Sequence, residues 1–280
     1  VGEAITPWES ETITHDGTAR EYVVINVPAA STDGCSSALK AAIEASGKDY
    51  AKIKNLKVVG EVNSLDFAFM RNEMTTLQSL NMKDVNVVEC KIPSQAFLGM
   101  SQLVNFIFPE HITEIGNYAF SGAHLKGSLI IPNEVRVIGD YAFKDSRWLT
   151  GNLILPDNLE VIGDYTFYES TIRGELNIPK SVKAIGYRAF SGCSELTGKL
   201  VIPNNIEILG GGAFQYCGGL KGDVVIPTSI TKIPDDLFAA CNFQGRIILH
   251  DNITEIGKYA FSPAFNGPLH LPNNLIIIGH

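Results

Sequence analysis

Apolar side chains recur along most of this chain at steps of 23 or 24 residues. A phenylalanine, usually preceded by alanine, marks each step and stands at Phe97, Phe120, Phe143, Phe167, Phe190, Phe214, Phe238 and Phe261. A proline ends a short apolar run with the same period, at Pro109, Pro132, Pro156, Pro179, Pro203, Pro227 and Pro272, and His250 fills the one slot of this series that lacks a proline. Two residue types that share one period predict a solenoid, in which stacked coils bury a continuous core.

Each repeat predicts the same local elements. The run before the proline, such as Leu129 to Ile131, predicts a short strand, which proline can end because it has no N–H for a strand ladder. Two apolar positions follow three and six residues after the proline, as at Val182 and Ile185. The next residue, Gly186 in this coil, is expected to turn the chain before a short helical or 3-10 segment that carries the phenylalanine. The predicted fold class is an α/β solenoid, a right-handed stack of coils with short parallel strands.

The N-terminal region departs from the repeat. Residues 1–55 predict a hairpin around residues 15–18 and an amphipathic helix within the segment from Ser36 to about Tyr50, with Gly47 as its expected stop. The hairpin belongs either to a solenoid cap or to the tail of a preceding domain. Residues 56–90, with a short helix near residues 66–74, predict two atypical capping coils, because an open solenoid end exposes strand edges. Residues 91–280 carry the regular repeats and end part-way through one, so we expect a piece of a longer protein.

The repeat pattern Ile-Pro-x-x-Val-x-x-Ile-Gly-x-x-Ala-Phe is complete between Ile178 and Phe190. In this pattern the chain resembles the BspA-like leucine-rich-repeat family of bacterial surface proteins. The resemblance implies export, with the protein secreted or held at the cell surface by outer-membrane association or a lipid anchor. It also implies adhesion to host extracellular-matrix proteins, to other cells or to glycans, and no enzymatic activity. The family's binding residues follow no motif, so none carries over to this sequence.

Composition narrows the choice of partner. The formal net charge of −8 and the absence of a Lys/Arg stripe disfavour nucleic acid and anionic membranes as partners. No apolar run approaches the roughly 20 residues of a membrane-spanning helix, so no transmembrane segment is expected in this sequence. An apolar content of 45% is sufficient for a continuous core. These features indicate a protein or glycan partner.

The sequence contains no recognisable catalytic, metal-binding or cofactor-binding motif, so none of these functions is predicted. The histidines stand at different phases of the repeat, at His15, His111, His124, His250, His270 and His280. Cys193, Cys217 and Cys241 recur at intervals of 24, either as a metal or redox ladder or as small core residues. The second interpretation is favoured because a free cysteine commonly packs as a small apolar side chain.

One surface is predicted to face outward along the whole array. If the first and third residues of each pre-proline strand face the core, the middle residues face solvent. These middle residues form the outward ribbon, which consists of Ile107, Ile130, Ile154, Asn177, Val201, Val225, Ile248 and His270. Their flanking residues are Asn105, Ser128, Asn152, Glu175, Lys199, Asp223, Arg246 and Pro268.

Exposed apolar strips often mark partner sites, whereas β-branched residues also favour strands wherever they point. The sequence therefore predicts a binding or adhesion protein that presents this ribbon. One alternative is a structural spacer that holds another domain away from the cell. A glycan hydrolase is a weaker alternative, because the carboxylates are scattered.

Overall fold

The structure is a computed structural model, and it describes residues 8–15, 18–29 and 36–279. The first strands are β1 (Trp8–His15), β2 (Thr18–Val27), β3 (Asn55–Val62), β4 (Ser79–Asn81) and β5 (Val85–Val87). The later strands are two to four residues long and comprise β6 (Lys91–Ile92), β7 (Asn105–Ile107), β8 (Glu114–Ile115), β9 (Leu129–Ile130), β10 (Val137–Ile138), β11 (Leu153–Ile154), β12 (Val161–Ile162), β13 (Gly174–Glu175), β14 (Ala184–Ile185), β15 (Leu196–Lys199), β16 (Ile208–Leu209), β17 (Leu220–Lys221), β18 (Val224–Val225), β19 (Lys232–Ile233), β20 (Ile247–Ile248), β21 (Glu255–Ile256) and β22 (Ile277–Ile278).

The N-terminal hairpin extends the sheet of the first coils. Strands β1 and β2 pair antiparallel, and β2 then pairs parallel with β3, with Val23 opposite Leu56. The same sheet continues through β4 to β7, and β5 pairs with the far end of β3. Whether the hairpin is a solenoid cap or the tail of a preceding domain stays a prediction. The boundaries at residues 55 and 90 stay predictions.

Two helices cover the first coils, α1 (Ala38–Ala45) and α2 (Ser64–Glu73), with a 3-10 turn at Tyr50–Lys52. The predicted helix near residues 66–74 is therefore confirmed within α2. The predicted amphipathic helix is confirmed as α1, which ends at Ala45, and the chain turns at the predicted stop, Gly47, with a positive φ of 71°. Glycine is suited to this left-handed conformation because it has no Cβ.

A buried carboxylate joins the two helices at their N-terminal ends. Asp66 is fully buried, and its Oδ1 accepts hydrogen bonds from Ser37 Oγ at 2.7 Å and Leu39 N at 2.9 Å. Its Oδ2 accepts from Asn63 N at 2.9 Å, which completes a capping box at the start of α2. Helix N-termini leave unpaired N–H donors, and a carboxylate is the side chain best suited to accept from them.

Replacing Asp66 with Asn is expected to destabilise the fold by about 1–2 kcal/mol, because the amide NH₂ would face a backbone donor that the carboxylate now satisfies. The free energy of unfolding from urea titration measures this cost. Asp157→Asn is the matched control, since Asp157 is exposed, and should change stability by less than about 0.5 kcal/mol. Equal stabilities of the two variants would contradict the role given to Asp66.

The segments that follow each proline build a post-proline ladder of parallel strands. Its order is β6, β8, β10, β12, β14 and β16, with Val137 opposite Val161 and Ile138 opposite Ile162. A second section of the post-proline ladder contains β19, β21 and β22. In the other coils a glycine N–H donates across the ladder, as from Gly210 to Ile185 O at 2.8 Å, but Pro234 has no N–H to give. The ladder therefore breaks at Pro234 while the period continues.

The glycine of each coil has a different role from the predicted one. Gly186 is outside the positive-φ region, but a Cβ built on it would lie 2.5 Å from Asp164 N in the preceding coil. The left-handed residue comes later in the coil, as at Tyr141 with φ 57° and Tyr165 with φ 52°. Glycine is therefore needed because neighbouring backbones approach closely, and the prediction of a glycine turn is wrong.

The segment that carries the phenylalanine is a run of turns rather than the predicted helix or 3-10 helix. Its N–H groups alternate between two kinds of acceptor. Phe120 N donates to Ala142 O in the next coil at 2.8 Å, and Ser121 N donates to Tyr118 O in its own turn at 3.3 Å. A helix would use all of these donors within one coil. The observed pattern ties each coil to its neighbour.

The phenylalanines form one column through the core. Successive rings are stacked, with centroids 5.2 Å apart for Phe120 and Phe143 and 5.7 Å apart for Phe190 and Phe214. One cluster of buried residues runs from Ile25 to Ala264. The predicted solenoid is confirmed. Across the described residues, the helices are too short and too polar to cross a bilayer.

Candidate binding surface

The outward ribbon is exposed where the sequence predicts it. The exposed fractions of its apolar members are 58% for Ile130, 49% for Ile154, 60% for Val201, 50% for Val225 and 40% for Ile248. Asn177 and His270 are also exposed, whereas Ile107 is half-buried. The neighbouring Leu129 and Ile131 are buried, as the alternation along a strand requires.

The ribbon is not one uninterrupted ladder. Ile130 pairs with Ile154 between β9 and β11, and Val225 pairs with Ile248 between β18 and β20. In the central coils β13, β15 and β17 pair instead through residues that precede the ribbon. No strand pairing joins Ile154, Asn177 and Val201 within the part of the chain that is described. The pre-proline strands of these coils therefore do not pair with one another at the ribbon positions.

Polar residues beside the ribbon link successive coils. Ser128 Oγ accepts from Asn152 N at 3.1 Å, and Asp223 accepts from Arg246 N at 2.8 Å while also forming a 3.0 Å ion pair with the Arg246 guanidinium. The hydrogen bond from Arg246 N and the guanidinium lower the pKa of the Asp223 carboxyl. Glu175, Lys199 and Pro268 are exposed.

Asn105 departs from this exposed flank because it is buried. Its side-chain amide donates to Ser79 Oγ at 3.2 Å. Asn105 begins β7, the last strand of the N-terminal sheet, so its environment is set by that sheet rather than by the regular coils. The prediction that Asn105 flanks an exposed ribbon is therefore wrong.

A cleft of about 690 Å³ lies on the ribbon face between β7 and β9. Its walls are mostly apolar and include Val104, Phe106, Phe108, Leu125, Leu129, Ile131 and Leu149. The ionisable residues around it are Lys83, Glu110, His111, Lys126 and Glu134. Ile107 and Ile130 also line it, so the cleft belongs to the outward ribbon.

The cleft exists because the strand ladder opens at this point. Leu129 N donates to Asn152 O at 2.8 Å and Ile131 N to Ile154 O at 3.0 Å, which closes β9 against β11. Between residues 104–109 and 126–132, all of them described, the single backbone hydrogen bond runs from Lys126 N to Val104 O at 2.9 Å. Sequence periodicity gives no signal for this opening, because the phenylalanine and proline steps continue unchanged across it.

A tyrosine ladder is a second surface feature that the sequence reasoning missed. The rings of Tyr118 and Tyr141 stack with centroids 4.6 Å apart, and those of Tyr141 and Tyr165 with centroids 4.8 Å apart. Burial, together with the adjacent tyrosines, raises the pKa of the Tyr141 hydroxyl. The signal was present in the sequence, since each tyrosine stands two residues before a phenylalanine of the column.

The carboxylates beside the tyrosine ladder have a structural task. Asp140 Oδ1 accepts from Asp164 N at 2.8 Å, and Asp164 Oδ1 accepts from Tyr187 N at 2.6 Å. Each side chain thus satisfies a backbone donor of the next coil. This coupling between coils accounts for acidic residues at these positions without a catalytic role.

The cysteine column is part of the core, as the favoured interpretation predicted. The thiols of Cys193, Cys217 and Cys241 donate to phenylalanine carbonyls of the preceding coil at 3.0, 3.1 and 2.9 Å. Burial raises the pKa of Cys193 and Cys241 to about 12, so the thiols stay protonated and poorly nucleophilic at neutral pH. Cys35 and the side chain of His15 lie outside the described residues. Within those that are described, His, Cys, Asp and Glu side chains form no group suited to a metal ion.

Comparison with known proteins agrees with the repeat pattern. The family model described as "BspA type Leucine rich repeat region" matches residues 66–197 and 195–280, in six copies. No curated protein sequence matches the chain.

Several solved structures of bacterial repeat proteins are similar to this chain. The T. pallidum leucine-rich-repeat protein has a TM-score of 0.44 and 22% identity, over 71% of this chain and 78% of that one. A leucine-rich-repeat protein from Bacteroides ovatus has a TM-score of 0.36 and 19% identity, over 99% and 90% of the two chains. A leucine-rich cell surface protein from Faecalibacterium prausnitzii has a TM-score of 0.34 and 19% identity, over 96% and 85%.

The family match begins at residue 66 and continues to residue 280. The matched residues include the phenylalanine column, the proline series, the post-proline ladder and the outward ribbon. The chain therefore belongs to the BspA-type leucine-rich-repeat family.

Proposed function

We propose that this chain is a binding protein of the bacterial surface, exported and either cell-associated or secreted, that presents its outward ribbon to a host protein or glycan. The observation that carries the proposal is the row of exposed β-branched side chains at Ile130, Ile154, Val201, Val225 and Ile248. Apolar side chains that remain in water on a folded protein commonly mark a partner site. Proteins built from such repeats generally bind or scaffold other molecules, and adhesion to host matrix is the specific form proposed.

Strand propensity alone is a poor explanation of the ribbon, because it would act equally on the post-proline ladder. The non-core position of that ladder holds a charged residue in four of its nine strands, namely Lys91, Glu114, Lys232 and Glu255, and an apolar residue in the other five. The ribbon carries apolar residues at six of its eight positions, the exceptions being Asn177 and His270. The outward ribbon therefore has a higher share of apolar residues than the non-core positions of the post-proline ladder. This difference supports a ligand face on the ribbon side.

The test is a binding screen of the purified chain against matrix proteins, mucins and glycans, followed by a triple substitution of Ile130, Ile154 and Val201 to Glu. We expect the triple variant to lose at least about 30-fold in affinity, equivalent to ~2 kcal/mol, because charges would replace buried apolar contacts. Ile208→Glu is the matched control, since Ile208 is 61% exposed but lies on the post-proline ladder. Full affinity in the folded triple variant, or equal loss in the control, would place the ligand elsewhere.

The unbroken core from Ile25 to Ala264 also supports a second candidate function, a spacer that holds another domain at a distance. Stacked coils that share one core make a stiff rod. A spacer predicts that the same screen yields no ligand. One reproducible ligand whose affinity depends on the outward ribbon would exclude it.

A further inference from the structure

We propose that the cleft between β7 and β9 binds a short extended peptide, which pairs its backbone with an open strand edge and places apolar side chains against the cleft walls. This inference rests on the proposed function, because it specifies the ligand class for one section of the outward ribbon. Three features of the cleft carry it: open backbone edges, an apolar interior, and a rim without a concentration of charge of one sign.

The first feature is the direction of the backbone groups. Along a strand, successive residues direct their N–H and C=O groups to opposite edges. Leu129 and Ile131 use their N–H groups to pair with β11, so the backbone groups of Ser128 and Ile130 face β7. In β7, Ile107 O accepts a hydrogen bond from Met82 N at 3.0 Å, so the backbone N–H and C=O groups of the neighbouring Phe106 face β9.

The pairing of β9 with β11 shows which backbone hydrogen bonds are missing between β7 and β9. Leu129 N donates to Asn152 O, and Ile131 N donates to Ile154 O. One coil earlier, the corresponding donors are Phe106 N and Phe108 N, and the corresponding acceptors are Ser128 O and Ile130 O. Neither bond forms among the described residues. The cleft thus presents donors and acceptors at strand spacing, which a peptide backbone complements by strand addition.

The second feature is the interior. Its volume of about 690 Å³ falls within the range of small-ligand sites and is sufficient for a few residues of extended chain. The rings of Phe106 and Phe108 meet edge to face with centroids 4.8 Å apart and form one wall. An apolar side chain that enters the cleft would leave water and contact this wall.

The third feature is the charge around the opening. Lys83 lies 3.5 Å from Glu110, and His111 lies 3.1 Å from Glu134. Two of the three basic side chains at the rim therefore have a carboxylate nearby, and the third, Lys126, has its Nζ 6.0 Å from the centroid of the Trp148 ring. The rim carries no concentration of charge of one sign, so the cleft does not select for a strongly charged ligand. Open backbone edges favour a peptide over a glycan, because a glycan has no repeating N–H and C=O groups to pair with them. The fitting ligand is an uncharged, apolar, extended peptide.

The probe for the test is a blocked synthetic hexapeptide with the sequence of residues 127–132, Gly-Ser-Leu-Ile-Ile-Pro. This sequence is chosen because β9 and β11 pair like with like, Leu129 opposite Leu153 and Ile130 opposite Ile154. Titration into isotope-labelled protein should shift the backbone amide signals of the non-proline residues in 104–110 and 126–134. The same peptide methylated on both isoleucine nitrogens should bind at least about tenfold more weakly, because methylation removes two donors. Absence of shifts up to about 1 mM peptide, or equal binding of the methylated peptide, would overturn the inference.

Two protein variants give an independent measurement. Phe108→Ala removes part of the cleft wall and should weaken peptide binding about tenfold or more, a loss in the range found for truncating a buried anchor residue. Leu249→Ala is the matched control. Leu249 also precedes the proline slot and is partly buried, but the strand before it, β20, is paired with β18 of the preceding coil. Equal weakening in both variants would contradict the proposed site, and thermal melts confirm that both are folded. If Phe108→Ala does not fold, the methylated peptide still decides the question.

The outcomes also separate this inference from the proposed function. Of the three residues changed in the triple variant, Ile154 and Val201 do not line the cleft and Ile130 does, so the peptide titration uses the unmodified protein. If the triple ribbon variant loses its macromolecular ligand while the peptide produces no shifts, the peptide site is wrong and the binding function stands. If the peptide binds in the cleft while the triple variant retains its macromolecular ligand, the peptide site stands and the proposed macromolecular ligand face is wrong.

Discussion

Phe190→Ala is expected to lower the free energy of unfolding by about 3–5 kcal/mol, the usual cost of removing a fully buried aromatic ring. Phe190 has no exposed surface, and its ring centroid lies 5.3 Å from that of Phe167 and 5.7 Å from that of Phe214. Truncation would leave a cavity between two stacked rings, and neither can fill it without leaving its own coil. Urea unfolding monitored by circular dichroism measures the change.

Trp148→Ala serves as the control for Phe190→Ala. Trp148 is also aromatic but is 49% exposed, so its loss should cost less than about 1 kcal/mol. A melting temperature of Phe190→Ala equal to that of the unmodified protein would show that the phenylalanine column does not hold the coils together.

Gly186→Ala is expected to destabilise the solenoid by about 2–3 kcal/mol, because the added methyl group has no room. A Cβ at this position would lie 2.5 Å from both Asp164 N and Gly163 C, which are backbone atoms of the preceding coil. Backbone atoms cannot rotate away as a flexible side chain can. The two coils would have to separate, and the hydrogen bond from Gly186 N to Ile162 O would lengthen beyond its present 2.8 Å.

Gly218→Ala is the matched control for Gly186→Ala and should change stability in the opposite direction. No atom lies within 4 Å of a Cβ built on Gly218, and its φ is outside the positive region. Alanine there restricts the unfolded chain and should stabilise the fold by up to about 1 kcal/mol. Similar stabilities for both variants would show that close approach of the coils is not the reason for glycine at Gly186.

The periodic features of the fold followed from the sequence because they depend only on spacing. A coil of 23 or 24 residues returns each phenylalanine to the same place, so Phe120, Phe143 and Phe190 had to share one column once the coils stacked. The alternation along each pre-proline strand likewise predicted that Ile130 faces solvent and Leu129 the core. Both inferences need only the geometry of one strand and one repeat.

Local conformation within the coil was harder to predict. The segment around Tyr141 and Phe143 has good helix-forming neighbours, yet Tyr141 adopts a positive φ of 57°. Tyrosine gives no sign of this conformation by its residue type, since non-glycine residues rarely adopt it. Hydrogen bonds to the next coil hold it in place, so the turn is a consequence of stacking rather than of intrinsic preference.

Repetition along the chain was thus sufficient to establish the coil, its core residues and its outward ribbon, because inward and outward positions alternate within each repeat. Only the tertiary structure decided where strands of neighbouring coils form hydrogen bonds and where they do not. The opening between β7 and β9, the break at Pro234 and the burial of Asn105 and Asp66 all depend on contacts between residues 22 or more positions apart. Such contacts depend on how one coil is placed against another, and a pattern that is the same in every coil carries no information about that placement.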